Sequence, residues 1–194
     1  MSRQSSINRK TNETSISLEL NLDGTGAYTI QTGVGFFDHM LSHIAKHGNL
    51  DLSIQATGDL HVDEHHMVED VGICLGKALL EALGDKRGIE RFGSAFVTMD
   101  EALARTVIDL SGRSYFVFQV EFTRDVINQF SLELIREFFQ AVASEGRMNL
   151  HIANLYGANA HHQAEAVFKS FGRALKQAVA PSGQSGIPST KGVL

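Results

Sequence analysis

The 194-residue chain has a single cysteine, no dense run of lysine or arginine, and no long apolar segment. The lone thiol, Cys74, excludes an internal disulfide framework and suits a reducing compartment, with the cytoplasm as the expected location. No apolar stretch is long enough to span a bilayer. The N-terminal MSRQSSINRKTNET is polar and lacks the apolar core of a secretory signal. A formal charge of −5 and a pI near 6.0 give no push toward nucleic acid or an anionic membrane. With 43% apolar and 20% charged residues, the composition is that of a soluble globular protein. The length allows one large domain, or two small ones sharing a core.

Histidine is the exception to this plainness. Of nine, six fall between His39 and His66 and three between His151 and His162. Such clustering in a mildly acidic protein points to metal or proton chemistry, against the plainer reading of solvent-facing rings.

Hydrophobic periodicity supplies the elements. Thr14 to Leu22 alternates as a half-buried strand, Asp23-Gly24-Thr25-Gly26 is turn chemistry, and Ala27 to Gln31 is expected to return as the second strand of a hairpin. Phe36 to Lys46 reads as a short helix stopped at Gly48, and residues 50–54 as a strand. Asp63 or Glu64 opens a longer helix that runs to about Leu83. The order then repeats. Ala95 to Met99, Arg105 to Leu110 and Tyr115 to Phe122 read as strands, and Ser131 to Ser144 as a helix capped by Ser131. Met148 to Leu155 reads as a strand and Ala160 to Ala180 as a helix, followed by a Gly-, Pro- and Ser-rich tail expected to be loop, or ordered only by a ligand.

An offset of 96 superposes the two long helices: His65-His66-x-x-Glu69 falls on His161-His162-x-x-Glu165, and Gly76, Ala78 and Leu79 fall on Gly172, Ala174 and Leu175. Amphipathic helices share alanines and leucines by chance, but not a His-His-x-x-Glu at the same place. The expected architecture is therefore an internal duplication with α+β layers.

On a helix, residues four apart differ by about 40° in direction, so His65 and Glu69, or His161 and Glu165, can grip one ion. The adjacent His66 and His162 point about 100° away and are free to serve another. Two diverging pairs imply two ions, with a neighbouring subunit completing the ligand shells. Imidazole plus carboxylate without thiolate favours divalent Mn, Fe, Co, Ni or Zn over a structural Cys-type zinc. The plainer alternative makes each motif a set of polar residues at a helix start, which suits the carboxylates but not a protonated histidine.

His39 and, at a local offset of 98, Glu137 are candidate extra ligands. His43, His47 and His61 have no repeat partner; they orient a ligand, face the substrate or are simply exposed. Asp100 and Glu101 read better as a helix start than as a buried acid pair. Arg91, Arg113, Lys169, and Ser189 with Lys191 are candidate anion contacts, each weak when taken singly.

Ten motifs in order, ETSI, LDGTG, TGVGFFDHML, HGNLDL, GDLHVDEHHMVEDVG, ALGDKRGIERFG, MDEAL, VIDLSGR, NAHHQAEAVFK and PSTKG, make the chain resemble the imidazoleglycerol-phosphate dehydratases over nearly its whole length. The resemblance implies an α+β fold of two half-domains, 1–94 and 95–194 with a C-terminal substrate-binding tail. Each would be a mixed four-stranded sheet with helices on one face (ribosomal protein S5 domain 2-like), packed helix to helix.

It implies dehydration of D-erythro-imidazole-glycerol phosphate to imidazole-acetol phosphate in histidine biosynthesis, through a di-manganese-bound imidazolate. It further implies two Mn²⁺ per site and a homo-oligomer of 24 subunits with sites at the subunit interfaces. Carried over, the metal ligands are His39, His65, His66, Glu69, Glu137, His161, His162 and Glu165. Substrate contacts are Glu13, His43, Arg91, Arg113, Lys169, Ser189 and Lys191. His43 stands where many relatives have glutamine, and Met67 where threonine is common. Glu13 is the expected proton shuttle, with Glu69 and Glu165 as rivals. The residues alone leave open two other classes, a metal-dependent hydrolase that activates water and a metal-storing assembly.

Overall fold

A computed structural model describes residues 3–194. The first two residues of the polar N-terminal stretch, and so of the 1–94 half, lie outside the described residues. Ile16, Leu18 and Leu20 alternate with polar neighbours along β2 (Thr14–Asn21), and every second side chain is buried. The same alternation forms β4 (Asp51–Gly58), which pairs antiparallel with β2.

The expected hairpin between residues 14–22 and 27–31 does not form. Instead β3 (Tyr28–Gln31) lies on the far side of β4 and runs parallel to it. The Asp51 carboxylate fixes this geometry by accepting from the backbone N–H of Thr25 at 2.8 Å and of Ala27 at 3.0 Å. The β3 strand then crosses over through α1 (Gly35–Gly48) into β4, as a parallel pair requires. Sequence periodicity also missed β1 (Gln4–Lys10), an edge strand with one apolar residue, Ile7, antiparallel to β2. Helix α2 (His65–Leu83) follows.

The second half repeats the plan with β5 (Phe92–Met99), β6 (Ala102–Asp109), β7 (Tyr115–Gln119), α3 (Leu134–Glu145), β10 (Asn149–Tyr156) and α4 (Ala160–Ala178). The two sheets have matching strand orders, β1-β2-β4-β3 and β5-β6-β10-β7. One addition breaks the match, a small hairpin of β8 (Val126–Ile127) and β9 (Phe130–Ser131) ahead of α3. It absorbs Ser131, which therefore does not cap the helix; its Oγ donates to Glu133 instead. Nor do Asp100 and Glu101 start a helix. They form the tight turn between β5 and β6, with Asp100 at φ 47°.

Each sheet buries one face under its helices, and the helices of the two halves pack on each other, α1 on α4 and α2 on α3. Phe37, Phe138, Phe139, Phe168 and Phe171 fill the seam, all fully buried. Each contributes about 1.5–3 kcal/mol by leaving water. Repeat-related glycines let the helix backbones touch. A Cβ on Gly76 would stand 2.8 Å from the Val142 carbonyl, and one on Gly172 3.0 Å from that of Ile44. These crossings bring the N-terminal part of α1 beside the start of α4, and the first turn of α3 beside the start of α2.

Candidate metal centre

Glu165 organises the first of these corners. It lies on the first turns of α4, where Asn159 caps the helix by accepting from the His161 N–H at 2.9 Å. Its Oε1 is 3.0 Å from Nε2 of His161 on its own helix and 3.0 Å from Nε2 of His39 on α1. Its Oε2 accepts from Lys169 Nζ at 2.6 Å and faces His43 Nε2 at 3.6 Å. Burial pushes the Glu165 carboxyl up, but the Lys169 ammonium and the His39 and His161 rings outweigh it and hold the group at about 2. The carboxylate is thus charged, and gathers the Lys169 ammonium and the N–H groups of the His39 and His161 rings around it. Burial pushes His43 down to about 4, keeping it neutral.

The repeat builds a looser second corner. His65 Nε2 is 4.0 Å from Glu69 Oε2, with both side chains nearly half exposed. Glu137, from the first turn of α3, shares a surface cavity of about 500 Å³ with His65 and is paired with Arg136 at 3.1 Å.

The adjacent histidines diverge as helix geometry requires. His65 faces Glu69 and His161 faces Glu165, whereas His66 faces Asp59 and His162 faces Glu101, with the ring planes in each pair inclined at 85° and 87°. Each diverging ring is held from behind by a carboxylate whose part sequence reasoning missed. His66 Nδ1 lies 3.0 Å from Asp59 Oδ2, and His162 Nδ1 lies 2.7 Å from Glu101 Oε2. Glu101 Oε1 meanwhile accepts from the N–H groups of Ala158 and Asn159.

Hydrogen bonds from His162 and the Asn159 N–H hold Glu101 at about 2, while the hydrogen bond to Glu101 raises His162 and that to Asp59 raises His66. A carboxylate on Nδ1 leaves Nε2 as the outward ligand atom, the usual support for a metal-binding histidine. These Nε2 atoms look toward Glu13 at 3.7 Å and Asp100 at 3.8 Å. Glu13 is presented by a turn in which Thr11 Oγ1 accepts from the Glu13 and Thr14 N–H groups.

Except for Lys169, the anion candidates are elsewhere. Arg91 pairs with Asp109 at 2.7 Å and donates to the Pro188 carbonyl at 2.8 Å. The tail is loop but anchored: Pro181 bridges to Ile89, the Gly88 N–H donates to the Gly186 carbonyl, and Leu194 lies against Gly112 beside the exposed Arg113. Arg91, Arg113, Ser189 and Lys191 therefore share one end of the second sheet. Lys169 sits at the other, its Nζ 3.3 Å from Met99 Sδ. The intervening strand β5 separates Arg91 from Met99 by roughly 25 Å. One small substrate cannot touch Lys169 and Arg91 of the same chain.

Duplicated α+β halves whose imidazole-carboxylate corners could hold a metal ion set the class, and relatives of known name narrow it. A family model described as imidazoleglycerol-phosphate dehydratase matches residues 32–175. The dehydratase of Methanococcoides burtonii is 57% identical over 192 residues, covering 99% of this chain and all of that protein. That of Herminiimonas arsenicoxydans is 55% identical, covering 100% and 98%.

Among solved structures, the Pyrococcus furiosus dehydratase in complex with (S)-C348 superposes with a TM-score of 0.85 at 39% identity, covering 97% of this chain and 100% of that one. The Staphylococcus aureus dehydratase gives 0.84 at 39% identity, covering 92% and 99%. The chain belongs to the imidazoleglycerol-phosphate dehydratase family. Its activity is that of a hydro-lyase of histidine biosynthesis, acting on a small molecule. Among the described residues no helix is long and apolar enough to cross a membrane.

Proposed function

We propose that this chain converts D-erythro-imidazole-glycerol phosphate to imidazole-acetol phosphate and water at a site bearing two manganese ions, assembled from more than one subunit. The Glu165 corner is the observation that carries the reading: three imidazoles and an ammonium converge on one buried carboxylate. The ligand set fits a divalent cation, because it combines neutral imidazole with carboxylate and has Nε2 atoms freed by carboxylates behind them. His39, His65, His66, Glu69, Glu137, His161, His162 and Glu165 would hold the ions. When bound, two Mn²⁺ would act as Lewis acids on the imidazole ring of the substrate and stabilise it as the imidazolate.

The chain's own groups do the rest. The hydroxyl leaves from the carbon attached to the ring, departing as water with the proton given up by the ring nitrogen, and a proton leaves from the next carbon to give the enol. Glu13, exposed and facing His66, takes that proton and returns it as the enol becomes the ketone; Glu69 and Glu165 are the rival carboxylates. Arg91, Arg113, Ser189 and Lys191 bind the phosphate, and Lys169 and His43 orient the substrate near the Glu165 corner.

The separation of Lys169 from Arg91 along β5 supports a site completed by a second subunit, in keeping with a homo-oligomer of 24 chains. In this reading residues 1–94 and 95–194 are the two repeats, each giving one arm to the shared sites, and the enzyme works in the cytoplasm. Turnover of imidazole-glycerol phosphate that disappears on chelation and returns with Mn²⁺ is the expected result. No turnover by metal-replete protein refutes the proposal.

A further inference from the structure

We infer that His43 is itself a metal ligand in this chain, joining His39 and Glu165 on the ion at the Glu165 corner. The inference rests on the metal-dependent reading above and moves His43 within it, from orienting the substrate to holding the ion. His43 lies one turn beyond His39 on α1, so the two rings share a face, with centroids 4.5 Å apart. Its Nε2 is buried and has no hydrogen-bond partner. The nearest acceptor, Glu165 Oε2, is 3.6 Å away, outside hydrogen-bond range. A buried histidine kept only for packing would be expected to find a partner for that atom.

Spacing gives the atom a use. One donor atom from each of His39, His43 and Glu165 lies within 4.8 Å of the others. Donors about 2.0–2.2 Å from a common ion stand about 3–4.4 Å apart, depending on the angle between them. Small side-chain rotations therefore suffice to bring all three onto one centre. The Lys169 ammonium neutralises the same Oε2 now and has to yield it as His43 closes in. The two corners then differ in kind: two imidazoles and a carboxylate from His39, His43 and Glu165, against one imidazole and two carboxylates from His65, Glu69 and Glu137. An imidazole-rich corner prefers zinc, nickel or copper over manganese more strongly than a carboxylate-rich one.

The test is Mn²⁺ binding to chelator-stripped wild-type, His43→Gln and His47→Gln proteins, read from free Mn²⁺ by electron paramagnetic resonance without substrate. His43→Gln is expected to weaken one class of site about tenfold or more, as loss of a first ligand does at least as much as loss of its support. His47→Gln, one further turn along α1, is expected to match wild type. Equal affinity and stoichiometry in all three proteins overturns the inference.

A manganese anomalous map from wild-type crystals decides the matter even if the variant misfolds. An ion within about 2.5 Å of His43 Nε2 supports ligation, and a farther one excludes it. Turnover keeps the two claims apart. Metal-dependent turnover in wild type with no metal-binding defect in His43→Gln sinks the inference alone, whereas no turnover in wild type sinks the reading beneath it.

Discussion

Glu101→Gln tests how the second histidine of each motif is prepared for its ion. The two oxygens of Glu101 do separate jobs: Oε1 accepts from the Asn159 N–H at 2.7 Å and the Ala158 N–H at 3.0 Å, and Oε2 faces His162 Nδ1 at 2.7 Å. Glutamine keeps the first job, since its carbonyl oxygen still accepts from the backbone. Its amide then presents N–H to His162, and two donors cannot face each other. The ring answers by moving its proton to Nε2, the atom that should bind metal.

Loss of a supporting carboxylate of this kind typically costs 10–100-fold in metal affinity or activity, so about 10–100-fold is the expected loss here. Mn²⁺ affinity of the stripped protein is the assay, with the far-ultraviolet circular dichroism spectrum as the check on the fold. Asp59→Asn should do the same through His66. Affinity within about twofold of wild type, with the fold intact, refutes the tautomer argument.

Acid should destabilise the metal-free protein in two stages. His43 titrates at about 4 in the fold against 6.5 unfolded, so the unfolded chain binds the proton first and stability falls as pH drops from 6.5 toward 4. Glu165 titrates at about 2 against 4.5, so its contribution is whole above 4.5 and drains away toward 2. Urea midpoints against pH should therefore fall less steeply in the upper range in His43→Gln and in the lower range in Glu165→Gln, where Glu101, also held at about 2, supplies the rest; identical profiles would contradict both assignments.

In the core, Phe138→Ala removes a fully buried ring stacked on Phe168 and should cost about 3–5 kcal/mol in equilibrium unfolding. A cost below about 1 kcal/mol would mean the seam is loosely packed. Gly93→Ala puts a methyl 1.9 Å from the Ala174 carbonyl on α4, and about 3 kcal/mol of destabilisation is expected. Removing residues 187–194 should raise KM for the phosphate substrate while leaving the melting temperature within a few degrees; an unchanged KM argues against the tail as a phosphate grip.

What could be read from sequence followed from local patterns repeated at a fixed offset. The His-His-x-x-Glu helices, their Gly76 and Gly172 contacts and the divergence of adjacent histidines are all set by helical spacing. What escaped depends on partners far along the chain. The β3 strand pairs with β4 rather than β2 because Asp51 reaches back to Thr25 and Ala27, and a turn signal looks the same in either topology. The edge strand β1 carries too little apolar alternation to declare itself; Arg9, paired with the buried Asp70 of α2 at 2.8 Å, helps to dock it. Asp59 and Glu101 support histidines 7 and 61 residues away, so their roles appear only once the chain is folded. The internal repeat offered one clue, since each diverging histidine needs a carboxylate behind it.

In the proposed enzyme the two ends of β5 serve different active sites, so that each site is built from more than one chain. Lys169→Met and Arg91→Ala should each be nearly inactive alone. Unfolded together, refolded with Mn²⁺ and assayed as mixed oligomers, they should recover about a quarter of wild-type activity, because some sites then combine an intact Lys169 from one chain with an intact Arg91 from another. No recovery in verified mixed oligomers would mean that both residues serve a site within one chain, and would contradict the account.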